Sequence, residues 1–518
     1  MGKEDLDVAR SESVVFAEAE KASNCIDVLT SPSSDREKGN EALSKLREIF
    51  DKYLELPSLL DRHLEAMVCS LAQSARSIME SIDIETLWES PLPRVFSALY
   101  ALSKVRGRKR VQKFLPHEVK DVEIVLETLK VLDKVDGANP AGTRDSNGDP
   151  QLWESVYTLW NWMGILSLVP FDFSVVVDAT RISDLIQLGK SHLSEAGPTR
   201  EIAAACLASW LSRPDLEETE FKFFCQWSLR VLKDFASNGK DIFRTMGVIQ
   251  TLVTILKVST ADRDTLLASH APFCPILLEI SDSVPSNLLL RRYLVKWWTR
   301  LGSIYLPPRV ASWRYKRGRR SLKENLLGID KKHQQDNKQS SKHDEQEEKC
   351  DDFFLVPDQV EEAMDQLIKA LTDSFTNVRW SAAKGVGRIT ERLPELCAED
   401  VLDAVLELFD DREKDNNWHG ACLALAELGR RGLILPHRLP DVIPKIVEAI
   451  NVRRRFDLIF FGSAPLTRPL LLHSTTCQGA SQVLEHTCVT LHAIHIGQSL
   501  AHTLRKYFVL LCCSLVNL

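Results

Sequence analysis

The sequence lacks the patterns that usually identify secreted and membrane proteins. Its 12 cysteines are scattered over 518 residues and include no CxxC pair, so they do not form a dense disulfide framework. The first 20 residues are acidic and have no apolar core, so we expect no signal peptide. No run of about 18 apolar residues precedes the C-terminal tail, and no membrane span is expected. These absences predict a protein of the reducing cytosol.

Sequence motifs of enzyme active sites are also missing. There is no GxSxG or HExxH pattern, and no cysteine has an evident histidine partner. In the tail, Cys477, His486, Cys488, His492 and His495 match no standard zinc-finger spacing. We therefore expect no catalytic residue, no metal site and no bound cofactor. An enzyme with an unrecognised site stays open as the weakest alternative.

The overall charge argues against a general nucleic-acid binder. The chain has 65 basic and 72 acidic residues, a formal net charge of −7, whereas such binders are normally basic. Two basic clusters nevertheless stand out, at residues 104–114 and 313–323. Each could bind RNA, an acidic lipid or an acidic protein, or could be a solvated helix face. We favour an acidic protein partner or a solvated face.

Hydrophobic periodicity predicts an all-α protein. Apolar residues recur three and four positions apart through most of the chain, and no convincing alternating strand series is found. After residue 353 the pattern falls into pairs of helices, in which Trp380 and Trp418 lie 38 residues apart. That period is close to the ~40–47 residues of two-helix HEAT and armadillo repeats. The predicted fold is therefore a HEAT/armadillo-type helical-repeat solenoid.

The stretch NVRWSAAKGVGRITERLP, at residues 377–394, is one of the predicted repeat helices. Gly385 and Gly387 faintly resemble a phosphate-binding turn, but no strand precedes them and no third glycine follows in register. Glycines inside a helix allow a second helix to approach closely, which is the interpretation we prefer. Trp380 and Ile389 are expected to face the core.

Composition divides the chain into five predicted segments. They are a disordered N-terminal segment (1–38), a degenerate repeat region (39–327), a disordered polar linker (328–352), HEAT repeats (353–450) and a divergent, poorly ordered tail (451–518). The linker has too few apolar residues to offset the entropy of ordering. In the tail the repeat pattern stops although a new helix pair has just opened. We interpret the tail as the result of a frameshift, alternative splicing or a mispredicted gene end.

Several segments, in the same order, resemble the tubulin-folding cofactor D family. The strongest are VRWSAAKGVGRITERLPE at residues 378–395 and WHGACLALAELGRRGLILP at residues 418–436. LVPFDFS at residues 168–174 and LPPRVASWRYKRGRRSL at residues 306–322 are further examples. The resemblance covers roughly residues 38–450 apart from the linker, and it is to plant-type members. It implies a HEAT-repeat chaperone that is not itself an enzyme.

The resemblance also implies partners. A member of this family would bind β-tubulin after its release from the cytosolic chaperonin. It would assemble the α/β-tubulin heterodimer with cofactors C and E and an Arf-like small GTPase, and with cofactor C it would stimulate GTP hydrolysis by tubulin. We expect a cytoplasmic, microtubule-associated protein that organises microtubules and does not bind nucleic acid. Because cofactor D proteins are much longer, we expect this form to be unable to complete assembly.

An alternative function is a HEAT-repeat adaptor that binds nucleic acid or transport cargo through its basic clusters. Neither function indicates which residues contact the partner. The candidates are therefore the second basic cluster and polar positions near helix ends in the strong repeats. The predicted partner-binding residues are Arg314, Lys316, Arg317, Arg319, Arg320, Arg379, Lys384, Arg388, Glu427, Arg430 and Arg431. The alternative for each is an ordinary solvated helix face.

Overall fold

The structure is a computed structural model. It describes residues 15–31, 35–81, 90–138, 150–173, 178–283, 287–308, 311, 313–315, 356–410 and 415–460. These residues form helices and loops, and none of them lies in a strand, which confirms the predicted all-α class. The chain divides into two compact units, one made of Met1–Asp262 with Pro272–Ile276 and the other of Arg263–Ala271 with Leu277–Leu518.

The first unit is built from helices of 5 to 21 residues. They are α1 (Ala19–Thr30), α2 (Arg36–Asp51), α3 (Asp61–Ser81), α4 (Leu92–Arg106), α5 (Arg108–Gln112), α6 (Asp121–Ala138), α7 (Leu152–Leu166), α8 (Ala179–His192), α9 (Pro198–Leu211), α10 (Lys222–Asn238) and α11 (Ile242–Val258). Short 3₁₀ helices at Pro57–Leu60 and Pro214–Leu216 and a π-helical turn at Glu217–Phe221 connect some of them.

Two layers of helices make up the first unit. Helices α2, α4, α7, α9 and α11 pack side by side in that order, and α1, α3, α6, α8 and α10 cover them as a second layer. Each second-layer helix packs against the first-layer helix that follows it in the chain. This arrangement is the pattern of a helical-repeat array. Trp160 and Trp162 are buried between the layers, whereas Trp153, in the first turn of α7, is 38% exposed and packs edge-on against Tyr100.

The prediction that residues 1–38 are disordered is wrong for their second half. Helix α1 lies there, and Ala22, Ile26 and Leu29 are buried against α2 and α3. These three residues are four and three positions apart, so they form one apolar stripe on the helix. Because polar residues lie between these three positions, the average composition of the segment did not reveal the stripe.

The second unit repeats the two-layer arrangement. Its helices are α12 (Arg263–His270), α13 (Cys274–Ser283, which begins in the first unit), α14 (Leu288–Tyr305), α15 (Asp358–Leu371), α16 (Thr376–Thr390), α17 (Glu395–Glu407), α18 (Asp415–Arg431) and α19 (Leu439–Phe460). Helices α14, α16 and α18 pack side by side, and α15 and α17 cover them. Helix α19 runs through the predicted boundary at residue 451.

The division between the units differs from the predicted one. We expected the polar linker at residues 328–352 to separate two repeat regions, but α14 precedes the linker and still packs against α15 and α16, which follow it. A Cβ placed on Gly302 of α14 would lie 2.8 Å from Ile389 and 3.2 Å from Ala363. Packing of small residues, and not composition, therefore determines which helices form one unit. The linker itself and residues 461–518 lie outside the described residues.

Candidate partner-binding surface

The glycine pair of α16 serves helix packing. A Cβ on Gly385 would lie 2.3 Å from Thr299 Oγ1 of α14 and 3.0 Å from Leu367 of α15, and one on Gly387 would lie 3.1 Å from Arg431 of α18. Both glycines are buried in the interior of a 15-residue helix. Their backbone is therefore not arranged as a phosphate-binding turn, and the preferred interpretation from the sequence is confirmed.

A second fragment of a phosphate-loop pattern has the same explanation. Gly189, Lys190 and Ser191 form the tripeptide GKS, but they lie in the last turns of α8. A Cβ on Gly189 would lie 2.5 Å from Leu207 of α9, so the glycine is needed for close packing. The Lys190 ammonium lies 5.4 Å from the ring centre of Trp227, and no strand precedes the tripeptide in the described residues.

Arg379 was predicted to be exposed for a partner, and this expectation is wrong. Its exposure is only 5%, because its guanidinium points into the junction between the starts of α16 and α18. It donates hydrogen bonds to the carbonyl oxygens of Asp373 (2.5 Å) and Ser374 (3.0 Å) and to Asn416 Oδ1 (2.8 Å). Burial lowers the pKa of Arg379. The residue is a structural link between two repeats.

Four other predicted residues share one internal charge network. Glu391, at the end of α16, accepts from Arg314 at 3.5 Å and from Arg431, and Glu427 accepts from Arg430 at 2.5 Å. Arg431 also lies 3.6 Å from Glu427, which connects the two carboxylates. Three guanidinium groups thus share two carboxylates at the C-terminal ends of α16 and α18, so most of their charge is compensated within the unit.

The start of the second basic cluster belongs to the same region of the second unit. The Ala311 amide donates to the Glu391 carbonyl (3.0 Å) and the Tyr315 amide to the Gly432 carbonyl (2.8 Å), while the Trp313 indole donates to the Leu393 carbonyl (3.0 Å). Ala311, Trp313 and Tyr315 thus satisfy carbonyl groups left unpaired at or just beyond helix C-termini. The remaining predicted residues of this cluster, Lys316, Arg317, Arg319 and Arg320, lie outside the described residues.

Lys384 and Arg388 are the predicted residues that face outward from α16. Arg388 is exposed, and the Lys384 ammonium lies 5.0 Å from the ring centre of Trp380. Trp380 is consequently half-buried beneath a lysine, although we expected it in the core, whereas Ile389 is fully buried as predicted. Among the described residues, no ion pair involves Arg388.

Helix α14 adds three basic side chains that were not predicted. Arg292, Lys296 and Arg300 are four residues apart, and they lie among the positions of α14 that are not buried. Burial and, to a smaller extent, the charge of Arg388 lower the pKa of Arg300 to about 10, so Arg300 stays protonated at neutral pH. We call Arg292, Lys296, Arg300, Lys384 and Arg388 the basic face.

The basic face contains no acidic residue of its own helices. Neither α14 nor α16 includes an aspartate or glutamate. The acidic residues at the two ends of α16 have basic partners elsewhere, since Asp373 pairs with Arg291 at 2.8 Å and Glu391 pairs with Arg314 and Arg431. The basic spacing in the absence of acids was visible in the sequence of α14 and could have identified this helix.

The first basic cluster is partly neutralised within the first unit. Lys104 pairs with Asp51 at 2.8 Å and Arg106 pairs with Asp61 through two nitrogens. Its remaining exposed basic residues, Lys109, Arg110 and Lys113, lie on or beside the short helix α5. The basic face of the second unit is therefore the stronger candidate for an acidic partner.

The first unit also presents two apolar side chains on a braced loop. Leu168 and Phe171, in the segment LVPFDFS, are 70% and 59% exposed. Arg213 holds this loop by donating to the carbonyl oxygens of Ser167 (2.7 Å), Val169 (2.9 Å) and Phe171 (2.7 Å). The loop is thus fixed from behind by one guanidinium.

The described residues lack the features of a metal site and of a membrane span. They contain no group of three or more histidine, cysteine, aspartate or glutamate residues placed to hold a metal ion. The candidate zinc ligands of the tail fall outside them. None of the helices in the described part of the chain is both long and apolar enough to cross a membrane.

Comparison with known proteins gives a consistent family relationship. The family model "Tubulin-specific chaperone D-like, ARM repeat" matches residues 50–232, and "Tubulin-specific chaperone D-like, ARM repeats" matches residues 289–462. The second match includes the whole of α16 and all but the first residue of α14. It continues past residue 451, where we expected the family pattern to end.

Individual relatives agree with the family models. The chain is 26% identical over 520 aligned positions to "Tubulin-specific chaperone D" of Dictyostelium discoideum, covering 79% of this chain and 34% of that protein. It is 25% identical to "Tubulin-folding cofactor D" of Schizosaccharomyces pombe, covering 83% of this chain and 36% of that protein. The chain thus spans about a third of the length of these curated relatives. A crystal structure of an engineered protein aligns over 95% of this chain and 92% of its own, with 16% identity and a TM-score of 0.35, which is too low to support an argument.

Proposed function

Because this chain belongs to the tubulin-specific chaperone D family, we propose that it binds β-tubulin as a non-catalytic chaperone, with the basic face as part of the binding surface. The observation that carries the proposal is the placement of the basic face on α14 and α16, two helices covered by the family match at residues 289–462. A basic surface favours an acidic client, mainly by accelerating correctly oriented encounters.

The proposal extends to the pathway that family membership suggests. The chain would take part, after the chaperonin and together with tubulin cofactors C and E and an Arf-like small GTPase, in the pathway that assembles the α/β-tubulin heterodimer. Activation of GTP hydrolysis by tubulin would belong to that complex, and the chain would contribute a surface to it. Such a role places the protein in the cytoplasm and at microtubules.

A pull-down with the full chain tests this proposal. The chain is immobilised and incubated with cytosol at moderate salt, and bound proteins are identified by mass spectrometry. Recovery of β-tubulin or of an Arf-like GTPase is the expected result. Recovery of RNA that disappears steeply with rising salt, without tubulin, would favour the nucleic-acid adaptor instead.

A variant with less charge makes the test specific to the surface. Replacing Arg292, Lys384 and Arg388 by glutamine removes three positive charges from the basic face. The matched control replaces Lys109, Arg110 and Lys113, which removes the same charge from the first unit. Loss of β-tubulin in the first variant alone supports the proposed surface, and equal recovery by both variants contradicts it.

A further inference from the structure

We propose that the basic face binds an extended acidic segment of a protein, a run of about five consecutive glutamate or aspartate residues. This inference deepens the proposed function, because it names the chemistry that the surface would recognise on a client or cofactor. It depends on the spacing and surroundings of the five basic side chains.

The first argument is the regular spacing of the charges. Arg292, Lys296 and Arg300 follow one another at four-residue intervals on α14, and Lys384 and Arg388 have the same interval on α16. Four residues of an α-helix rise about 6 Å. Alternate residues of an extended chain, which point to the same side, lie about 6.6 Å apart. Side chains on one side of an extended segment therefore stay level with the basic side chains of a helix over two successive four-residue intervals.

The second argument is that the charges form two adjacent rows. Helices α14 and α16 pack directly against each other, and neighbouring helix axes are usually about 8–10 Å apart. Successive side chains of an extended segment point to opposite sides. A segment lying between the rows would direct its odd carboxylates to one helix and its even carboxylates to the other. Consecutive acidic residues, and not isolated ones, are needed to use both rows.

The third argument concerns the electrostatic surroundings. Burial lowers the pKa of Arg300, and the charge of Arg388 lowers it further, so the electrostatic surroundings of Arg300 include a second cation. Neither α14 nor α16 contains an acidic residue. A bound row of carboxylates would be attracted to both cations, which favours an acidic segment.

The aromatic residues favour a peptide over single-stranded nucleic acid. Proteins that bind single strands usually stack bases on exposed aromatic rings. Here the ring of Trp380 lies beneath Lys384 at 5.0 Å, and the ring of Tyr293 is buried with Lys296 at 5.5 Å. The buried ring of Tyr293 offers no surface for stacking, and Lys384 covers one face of the half-buried ring of Trp380. Guanidinium and ammonium groups can bind carboxylates without a stacking surface, so an acidic peptide is the better ligand for this site.

Fluorescence anisotropy with the full chain tests the inference. The probes are a labelled, end-capped octamer of glutamate, the same length of glutamine, and an eight-nucleotide single-stranded RNA, all at about 50 mM salt, a Debye length of roughly 14 Å. We expect binding of the glutamate octamer only. The variant Arg292→Gln/Lys384→Gln/Arg388→Gln should bind it at least tenfold more weakly, and Lys109→Gln/Arg110→Gln/Lys113→Gln should bind it within about twofold of wild type. Circular dichroism verifies that both variants are folded.

The results separate this inference from the proposed function because the assay contains no tubulin. Absence of glutamate binding by a chain that recovers β-tubulin overturns the inference and leaves the function standing. Equal weakening by the two charge-matched variants, or tighter binding of RNA than of the glutamate octamer, also overturns it. Selective glutamate binding without recovery of β-tubulin supports the inference and contradicts the function.

Discussion

The guanidinium of Arg379 donates a hydrogen bond of 2.8 Å to Oδ1 of Asn416, and so joins the start of α16 to the start of α18. The same guanidinium donates to the Asp373 and Ser374 carbonyl groups, to Thr376 Oγ1 (3.0 Å) and to His419 Nδ1 (3.1 Å). One buried cation therefore satisfies acceptors from two consecutive repeats.

Removal of this cation should loosen the second unit. Arg379→Met keeps much of the side-chain volume but leaves several buried acceptors without a donor, so we expect a loss of about 2–4 kcal/mol in the free energy of unfolding. Amides of α16 and α18 should then exchange hydrogen at least about 30-fold faster. The matched control, Arg388→Met on the same helix, should change stability by no more than about 0.5 kcal/mol. Equal effects of the two changes would show that Arg379 has no special structural role.

Close packing at Gly385 gives a second prediction. In Gly385→Ala the new Cβ meets Thr299 Oγ1 and Leu367, and overpacking of this kind costs about 1–3 kcal/mol. In Gly429→Ala, on α18, the nearest side-chain atom is 3.8 Å away, and the better helix propensity of alanine should leave stability unchanged or raise it by up to ~1 kcal/mol. Urea unfolding followed by circular dichroism measures both. A stabilising Gly385→Ala would contradict the proposed helix crossing.

The thiol of Cys422, a half-buried residue of α18, gives a prediction about pH. Burial raises the pKa of Cys422 to about 12, so at pH 8 only about one thiol in ten thousand is ionised. Iodoacetamide should label this residue at least 100-fold more slowly in the native chain than in denaturant, as measured by mass spectrometry.

The raised pKa of Cys422 also determines how the stability of the folded chain depends on pH. The pKa in the folded state lies above the unfolded value of 9.0, so the stabilising contribution of the neutral thiol is complete below pH 9 and is lost as the pH rises towards 12. Cys422→Ser should therefore flatten the fall in stability over this window. A native labelling rate that levels off between pH 8 and 9, in place of a rise of about tenfold per pH unit, would contradict the raised pKa.

Arg213 should determine the order of the loop that carries Leu168 and Phe171. The guanidinium also pairs with Asp215 at 2.9 Å and stacks 4.3 Å from the ring centre of Phe173. Arg213→Lys keeps the charge but cannot reproduce the planar, multidentate donor geometry. Hydrogen exchange of a peptide covering residues 167–173 should become faster in this variant and stay unchanged in Arg244→Lys. Unchanged protection in Arg213→Lys would show that the loop is held by other contacts.

The fold class could be predicted because repeats leave a periodic signal. Trp380 and Trp418 occupy similar positions near the starts of α16 and α18, so their 38-residue spacing reported the repeat directly. The division into units could not be predicted in the same way. It depends on α14 packing with helices that follow a long polar stretch, and composition contains no information about that contact.

Individual site residues were predictable only where local sequence determines exposure. Lys384 and Arg388 lie on the outward side of an amphipathic helix, and the pattern shows this. Arg379, in contrast, is buried because Asn416 of the next repeat accepts its hydrogen bond, a relationship between residues 37 positions apart. Arg292, Lys296 and Arg300 were not predicted, because they lie among aromatic and aliphatic residues and do not form a dense basic run in the sequence.

The association rate of the full chain with purified β-tubulin, measured by biolayer interferometry over a range of salt concentrations, tests the account most directly. We predict that Arg292→Gln/Lys384→Gln/Arg388→Gln lowers this rate at least tenfold at low salt and that the difference from wild type shrinks as salt screens the charges. The control Lys109→Gln/Arg110→Gln/Lys113→Gln should associate at nearly the wild-type rate. Association rates that are equal for all three proteins, or the absence of β-tubulin binding by the wild-type chain, would contradict the account.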